Sequence, residues 1–207
     1  MTRRITRSPV RLSPAKGALV LDELRTILRG ADDLIGRGGR TLLAKVLKGS
    51  RDRKVIEHGL QECPAYGAFH EMPLDLVHAK IDRVISDGYL SYEYSGRLPL
   101  LVYTEKGWEI ERTTYAEELF TKLRAVAERG GPAFDVATLK DRNRGMIMLL
   151  LDILESQADE RFVPLLQRWH DLEYKQVRGR IGSVIMSIKS APDPRAKAGL
   201  LQVSHQR

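Results

Sequence analysis

Residues 73–108 read PLDLVHAKIDRVISDGYLSYEYSGRLPLLVYTEKGW. A change of period inside this stretch decides the fold. Leu74, Val77, Ile81, Val84 and Ile85 recur at helical spacing. Pro73 stands in the first turn, where a missing N–H costs nothing, and Gly88 stops the run. From Tyr89 the residues become strand formers, YLSYEY and LPLLVYT, around a short Ser-Gly-Arg turn. TEKGWEIE then reads as a short helix. The stretch therefore predicts helix, strand, turn, strand and helix.

Upstream, Leu19, Leu21, Leu24, Ile27 and Leu28 stripe a helix over Gly17–Arg29. ADDLIGRGGR is a loop with three glycines and arginines available to a backbone phosphate; it lacks the GxxxxGK[ST] spacing of a phosphate-binding loop. A second helix is expected over Thr41–Lys48, closed by Gly49. Ser50 reads as the N-cap of a third, RDRKVIEHGL, with Asp52 in its first turn. Pro64 and Gly67 make QECPAYGAF irregular. Three helices and a two-stranded hairpin give the plan of a winged helix-turn-helix domain. A small α+β domain without a ligand is the alternative.

Downstream, a helix is expected over 113–130, and Gly130-Gly131-Pro132 breaks the chain. Apolar helical patterns follow over 143–155, 160–170 and 174–189, enough for a small bundle. The expected fold class is mainly α with a small β-hairpin. A basic arm (1–15), expected to be disordered, leads to a winged-helix domain (16–112), a helical domain (113–190) and a flexible tail (191–207).

Charge narrows the function. Residues 1–60 hold 14 Lys and Arg against 6 Asp and Glu, whereas residues 61–112 hold 5 against 9. The positive excess is N-terminal, which favours an anionic partner; a solvated tail is the bland reading. The single cysteine, Cys63, excludes a disulfide within the chain and a four-thiolate zinc site, and fits a cytoplasmic setting. No apolar core of signal length follows the basic MTRRITRSPVRLSP, and MIMLLL (146–151) is too short to span a bilayer. The five histidines share no HxxH or HExxH spacing, and no serine lies in a nucleophile-elbow context. No catalytic residue, metal site or cofactor is expected, and no membrane partner.

What remains is a surface for nucleic acid. The helix over 73–87 occupies the recognition position and carries His78, Lys80 and Arg83, with Asp75 and Asp82 beside them. Lys45, Lys48, Arg51, Arg53 and Lys54 form a denser basic cluster suited to phosphates, and Arg40 closes the glycine-rich loop before it. Arg97 sits on an acid-free turn, either as a wing tip or as a solvated turn residue. Tyr89, Tyr92, Tyr94 and Tyr103 alternate imperfectly; outward ones could stack on a base, inward ones would be core.

These residues also carry a family likeness. GRTLLAKVLKGSRDRKVIEHGL (39–60), CPAYGAF (63–69), ISDGYL (85–90) and GRLPLLVYTEKG (96–107) occur in the order of the RQC winged-helix domain of RecQ-type DNA helicases. The chain resembles in particular the small stand-alone bacterial form, the RQC-minor class. The resemblance covers about residues 17–112. It implies recognition of duplex DNA and of duplex-to-single-strand junctions, with Arg97 and the basic residues of 45–54 as contacts. The sequence has no Walker motif and lacks the four zinc cysteines that accompany the domain in many such enzymes. DLEYKQVRGRIGSVIMSI (171–188) resembles the second helix of a HEAT-type repeat. Such helices would dock a protein partner or a second copy, and Arg142, Arg144, Lys175, Arg178 and Arg180 would add phosphate contacts or stay solvated. The expected function is non-catalytic DNA binding; the alternative is a protein-interaction adaptor or dimerisation module.

Overall fold

The computed structural model describes residues 10–129, 134–139 and 142–191. The Gly130-Gly131-Pro132 break, most of the arm and the tail from Pro192 lie outside the described residues. The fold is mainly α-helical with one antiparallel hairpin and a C-terminal helical bundle. Two compact units meet in sequence between Thr114 and Tyr115.

The first unit is a winged helix. It contains α1 (Leu21–Asp32), α2 (Arg40–Leu47), α3 (Arg53–Glu57), α4 (Leu74–Ser86), β1 (Leu90–Ser95) and β2 (Leu98–Tyr103). Its core joins Ile27 and Leu28 of α1, Leu43 and Leu47 of α2, Val77 and Ile81 of α4, and Leu90 and Leu101 of the hairpin, all at most 1% exposed. The helical periods read from sequence thus face one interior. Leu74 departs from its expected stripe and is 48% exposed. Asp52, not Ser50, caps α3 by accepting the N–H of Lys54 at 3.0 Å. The glycine-rich loop runs along β2: Gly36 N–H donates to Leu101 O at 3.0 Å and Leu101 N–H to Gly38 O at 2.9 Å.

The hairpin register pairs Tyr92 with Leu101 and Ser95 with Leu98, which leaves a two-residue turn, Gly96-Arg97. Gly96 has φ +63°, and Arg97 does not share the positive φ. Glycine in the first central position is the signature of a type II′ turn, whose twist suits a hairpin. The register also sorts the tyrosines. Leu90, Tyr92 and Tyr94 share the inward face with Pro99, Leu101 and Tyr103, while Ser91, Glu93 and Ser95 face out. Tyr103 donates its hydroxyl to Leu28 O at 2.7 Å.

TEKG works as a lock rather than a short helix start. A single helix, α5, runs from Glu105 to Arg129, where two separate segments were expected. Thr104 Oγ1 accepts the N–H of Gly107 at 3.1 Å and donates to Gly88 O at 2.6 Å. Lys106 Nζ donates to Asp87 O at 2.9 Å and lies 3.9 Å above the Tyr89 ring. A Cβ on Gly107 would stand 1.9 Å from Tyr89 O, so the close approach of helix to turn demands glycine.

The second unit packs α6 (Arg144–Gln157), α7 (Val163–Leu172) and α8 (Lys175–Ser190) with Ala116, Leu119 and Leu123 of α5. Leu150, Phe162, Leu166, Trp169 and Val184 form its centre. Trp169 Nε1 donates to the buried Glu173 at 2.9 Å. Arg180 ties α8 to α6 through Asp152 and Glu155, both at 2.6 Å. An unexpected 3-10 turn, Val136–Leu139, adds Val136 and Leu139 to this core. No helix among the described residues is long and apolar enough to cross a membrane.

Candidate nucleic-acid interface

Helix α4 holds its cations and Asp82 inward or against neighbours. Asp82 was expected beside Arg83 on the outward face, yet it is 2% exposed. Two partners explain this. The Arg40 guanidinium reaches its carboxylate at 2.6 and 2.7 Å, and the N–H of Ser13 reaches it at 2.7 Å. Residues 10–15 run over this face of α4, held further by Ala15 N–H to Ala79 O at 2.9 Å. Lys80 is 15% exposed and bonded to both oxygens of Glu23 at 2.7 and 2.8 Å. Arg83 pairs with Asp87 one turn on, at 2.8 Å. His78 has its Nδ1 enclosed without a partner. Among apolar residues, Leu74 and Leu76 are what α4 shows to solvent.

The basic cluster around α2 and α3 divides in two. Lys45 pairs with Asp52 at 2.6 Å, and that hydrogen bond holds the Asp52 carboxyl below the usual carboxylate range. Lys48 donates to His70 O and Met72 O, at 2.5 and 2.6 Å, and pins the chain just after CPAYGAF to the end of α2. Arg53 pairs with Glu57 at 2.6 Å, though it stays open to water. Lys54 is exposed, and its ammonium acts on the Asp52 carboxylate through charge alone; Arg51 is exposed, and its side chain has no partner among the described residues. The same holds for Arg97 on the wing, next to Leu98, which is 66% exposed.

A groove of about 500 Å³ opens between the start of α2, α3 and β2. Arg37, Arg40, Lys45, Lys54 and His58 line it, with Leu42, Leu98, Pro99 and Leu100 as its apolar wall. No Asp or Glu is among the lining residues. Of the expected contacts, the groove brings together Arg40, Lys45 and Lys54. Lys48, Arg51, Arg53, His78, Lys80, Arg83 and Arg97 are not in its lining. His58 was not among the expected contacts, and Arg37 was expected only as one of the loop arginines available to a backbone phosphate. Arg37 belongs to the GRGGR loop, and only that loop's pairing with β2 brings it beside α2. Tyr92 also lines the groove. Its hydroxyl is buried without a partner, and desolvation pushes its pKa up to about 12, so it stays protonated at neutral pH.

Asp82 and Asp52, outside the lining, neutralise Arg40 and Lys45, so Arg37 and Lys54 are the groove cations whose donors suit phosphate oxygens. Nucleophile chemistry has no such support. Cys63 is buried, and desolvation pushes its thiol up to about 11. Among the described residues, no group of three or more His, Cys, Asp or Glu could hold a metal ion.

The chain is 30% identical over 128 residues to the ATP-dependent DNA helicase RecQ of Bacillus subtilis (strain 168). The alignment takes in 51% of this chain and 22% of that helicase, so the chain spans about a fifth of its relative. No solved structure matches. The family model for the RQC domain matches residues 20–124, a non-catalytic region and not a helicase core. That match runs from α1 through the wing into α5, and the chain belongs to the RQC domain family.

Proposed function

We propose that the protein is a non-catalytic DNA-binding protein whose winged unit contacts duplex DNA or a duplex-to-single-strand junction. The acid-free groove carries this reading. Arg37 and Lys54 line it and would face backbone phosphates, Arg40 and Lys45 would reach them only in exchange for Asp82 and Asp52, and Arg51 and Arg53 near the start of α3 would be outer contacts. At the wing tip Arg97 would meet a phosphate, and the exposed Leu98 would cover the last base pair of a duplex end. Lys48, His78, Lys80 and Arg83, engaged as described, would act by holding α2 and α4 in place. A recognition-position helix without a free cation favours binding that follows DNA shape over base sequence.

We assign the winged-helix domain to residues 16–112 and the helical domain to 113–190, close to the unit boundary. The RQC-minor assignment rests on the motif order in the sequence. The helical domain is the candidate for a protein partner or self-association. A second reading, a winged helix that docks protein, is favoured by one feature: Leu74 and Leu76 are 48% and 42% exposed at the start of α4.

Binding should be measured to blunt duplex, forked, single-stranded and four-way DNA across a salt series. Phosphate contact predicts log affinity falling linearly with log salt, with the fork bound at least as tightly as the blunt duplex. Absence of binding to all four DNAs at low salt would sink the proposal. Binding that Lys54→Glu with Arg97→Glu leaves unchanged would move it to another surface.

A further inference from the structure

The second unit has a pocket of its own, about 370 Å³ in volume, between the starts of α6 and α8. Leu139, Ile147 and Val177 give it an apolar lining, and Arg142, Arg144 and Lys175 its cations. Arg144 and Lys175 are exposed, and their side chains have no partner among the described residues. Each is the first residue of its helix, and neither helix has an acid in its first turn, where α1, α4 and α5 do. The positive end of a helix dipole disfavours a cation there, so each start carries a local cost that a bound anion would relieve. Arg142 is held in place by Thr138 O at 3.0 Å and by the Tyr115 hydroxyl. Glu173 is the one acid in the lining, against three cations. It is 6% exposed, and its oxygens accept the indole N–H of Trp169 at 2.9 Å and the backbone N–H of Tyr174 at 3.2 Å. Tyr174 itself lines the pocket and is 67% exposed, unlike the aromatic core residues Phe162 and Trp169 nearby in sequence.

We propose that this pocket binds a single nucleic-acid strand: Arg144 and Lys175 take backbone phosphates, and the Tyr174 ring stacks on an unpaired base. The inference goes beyond the winged groove and rests on the second unit alone. An exposed aromatic ring beside unpaired cations is the combination a single strand uses, because every unpaired base has a π-face and every link a phosphate. A duplex keeps its bases stacked on one another and has none to offer Tyr174. An acidic peptide would engage the cations and leave the ring without a role. The tyrosine therefore selects the strand among anionic partners, and the two contributions, charge and stacking, are separable by mutation.

The test uses the full chain with fluorescently labelled oligo-dT, oligo-U and a blunt DNA duplex across a potassium chloride series. The wild-type chain should bind a single strand at low salt. Tighter binding of oligo-dT assigns DNA and tighter binding of oligo-U assigns RNA, and either upholds the site. Arg144→Gln with Lys175→Gln should weaken single-strand binding about tenfold or more and lower the salt slope by about 1.4, the loss of two phosphate contacts. Tyr174→Ala should weaken it about tenfold at the wild-type slope, and Tyr174→Trp should restore it. Both sets should leave duplex affinity within about twofold of wild type, since the duplex contacts are assigned to the winged unit. All three residues are exposed, so the melting curve by circular dichroism should match wild type. No single-strand binding, an unchanged slope in the double variant, or wild-type affinity in Tyr174→Ala overturns the inference. So does polyglutamate that displaces the strand as well as unlabelled oligo-dT does, the mark of a pocket for acidic peptide. Loss of duplex binding alone sinks the groove reading and leaves this one standing.

Discussion

Helix α4 and the hairpin that follows it are neighbours in sequence, yet they use charge in opposite ways. The helix carries His78, Lys80 and Arg83, the hairpin only Arg97. Lys80 is held by Glu23, Arg83 by Asp87, and the His78 Nδ1 is enclosed. Arg97 has no partner among the described residues and sits at the tip of a tight turn. A count of basic residues would choose the helix as the DNA element; counting available cations chooses Arg97 of the hairpin with Arg37 and Lys54 of the groove. The difference arises because α4 is packed on several sides, by α1, α2, the hairpin and residues 10–15, and each neighbour supplies an acid, a carbonyl or a wall.

The contrast breaks most visibly if the wing loses its footing on α4. Gly107→Ala should cost about 3 kcal/mol or more, because the added Cβ meets Tyr89 O at 1.9 Å, inside the backbone lock. Helix propensity alone gives the opposite sign, a gain of about 1 kcal/mol. Urea denaturation decides between them, and a more stable variant would refute the lock.

The inward face of the hairpin offers a second break. Burial raises the Tyr92 pKa to about 12, and that of Tyr103 well above its ordinary value of 10. Both phenols therefore favour the folded, protonated state. Their contribution is intact below pH 10 and is lost as the pH rises through the folded values. Tyrosinate absorbance followed with circular dichroism should show ionisation of these two coupled to unfolding. Reversible ionisation of all tyrosines near pH 10 would place them outside.

Two substitutions then sharpen the comparison. Arg97→Glu should lower duplex affinity about tenfold or more and leave the melting temperature unchanged, since it removes a free cation and touches no core. Lys80→Gln should do the reverse: a stability loss of about 1 kcal/mol from the ion pair with Glu23, and DNA affinity within twofold of wild type. If Lys80→Gln weakens DNA binding as much as Arg97→Glu does, α4 is a contact element after all. The smallest effect is expected from Lys54→Gln, about threefold in affinity with a salt slope reduced by about one.

Much of this architecture was legible in the chain. The apolar spacing of α1, α2, α4 and α6 to α8 marked the helices, and the change of period after Gly88 marked the hairpin. What escaped lies in contacts between residues far apart in sequence. Asp82 has the spacing of a surface residue on α4; only Arg40 and Ser13 make it a buried one. Arg37 gave no sign of its place beside α2, since the pairing of its loop with β2 is not a local property. The continuity of α5 was hidden because TEKG has the composition of a turn. Gly107 disfavours helix on average, and what keeps it there is a backbone approach that no periodicity encodes. The tyrosines were sortable in principle from strand alternation, but only once the turn length fixed the register.

The glycine-rich loop has one more consequence. With Gly36 N–H on Leu101 O and Leu101 N–H on Gly38 O, the segment ADDLIGRGGR closes the outer edge of β2. A loop of that composition invites the expectation of rapid amide hydrogen exchange. Its pairing gives the opposite: Gly36 and Leu101 should exchange on the timescale of opening the whole winged unit, together with Tyr92 and its strand neighbours. Seen this way the outer edge of the two-stranded wing is covered by a glycine-rich loop from a distant part of the chain.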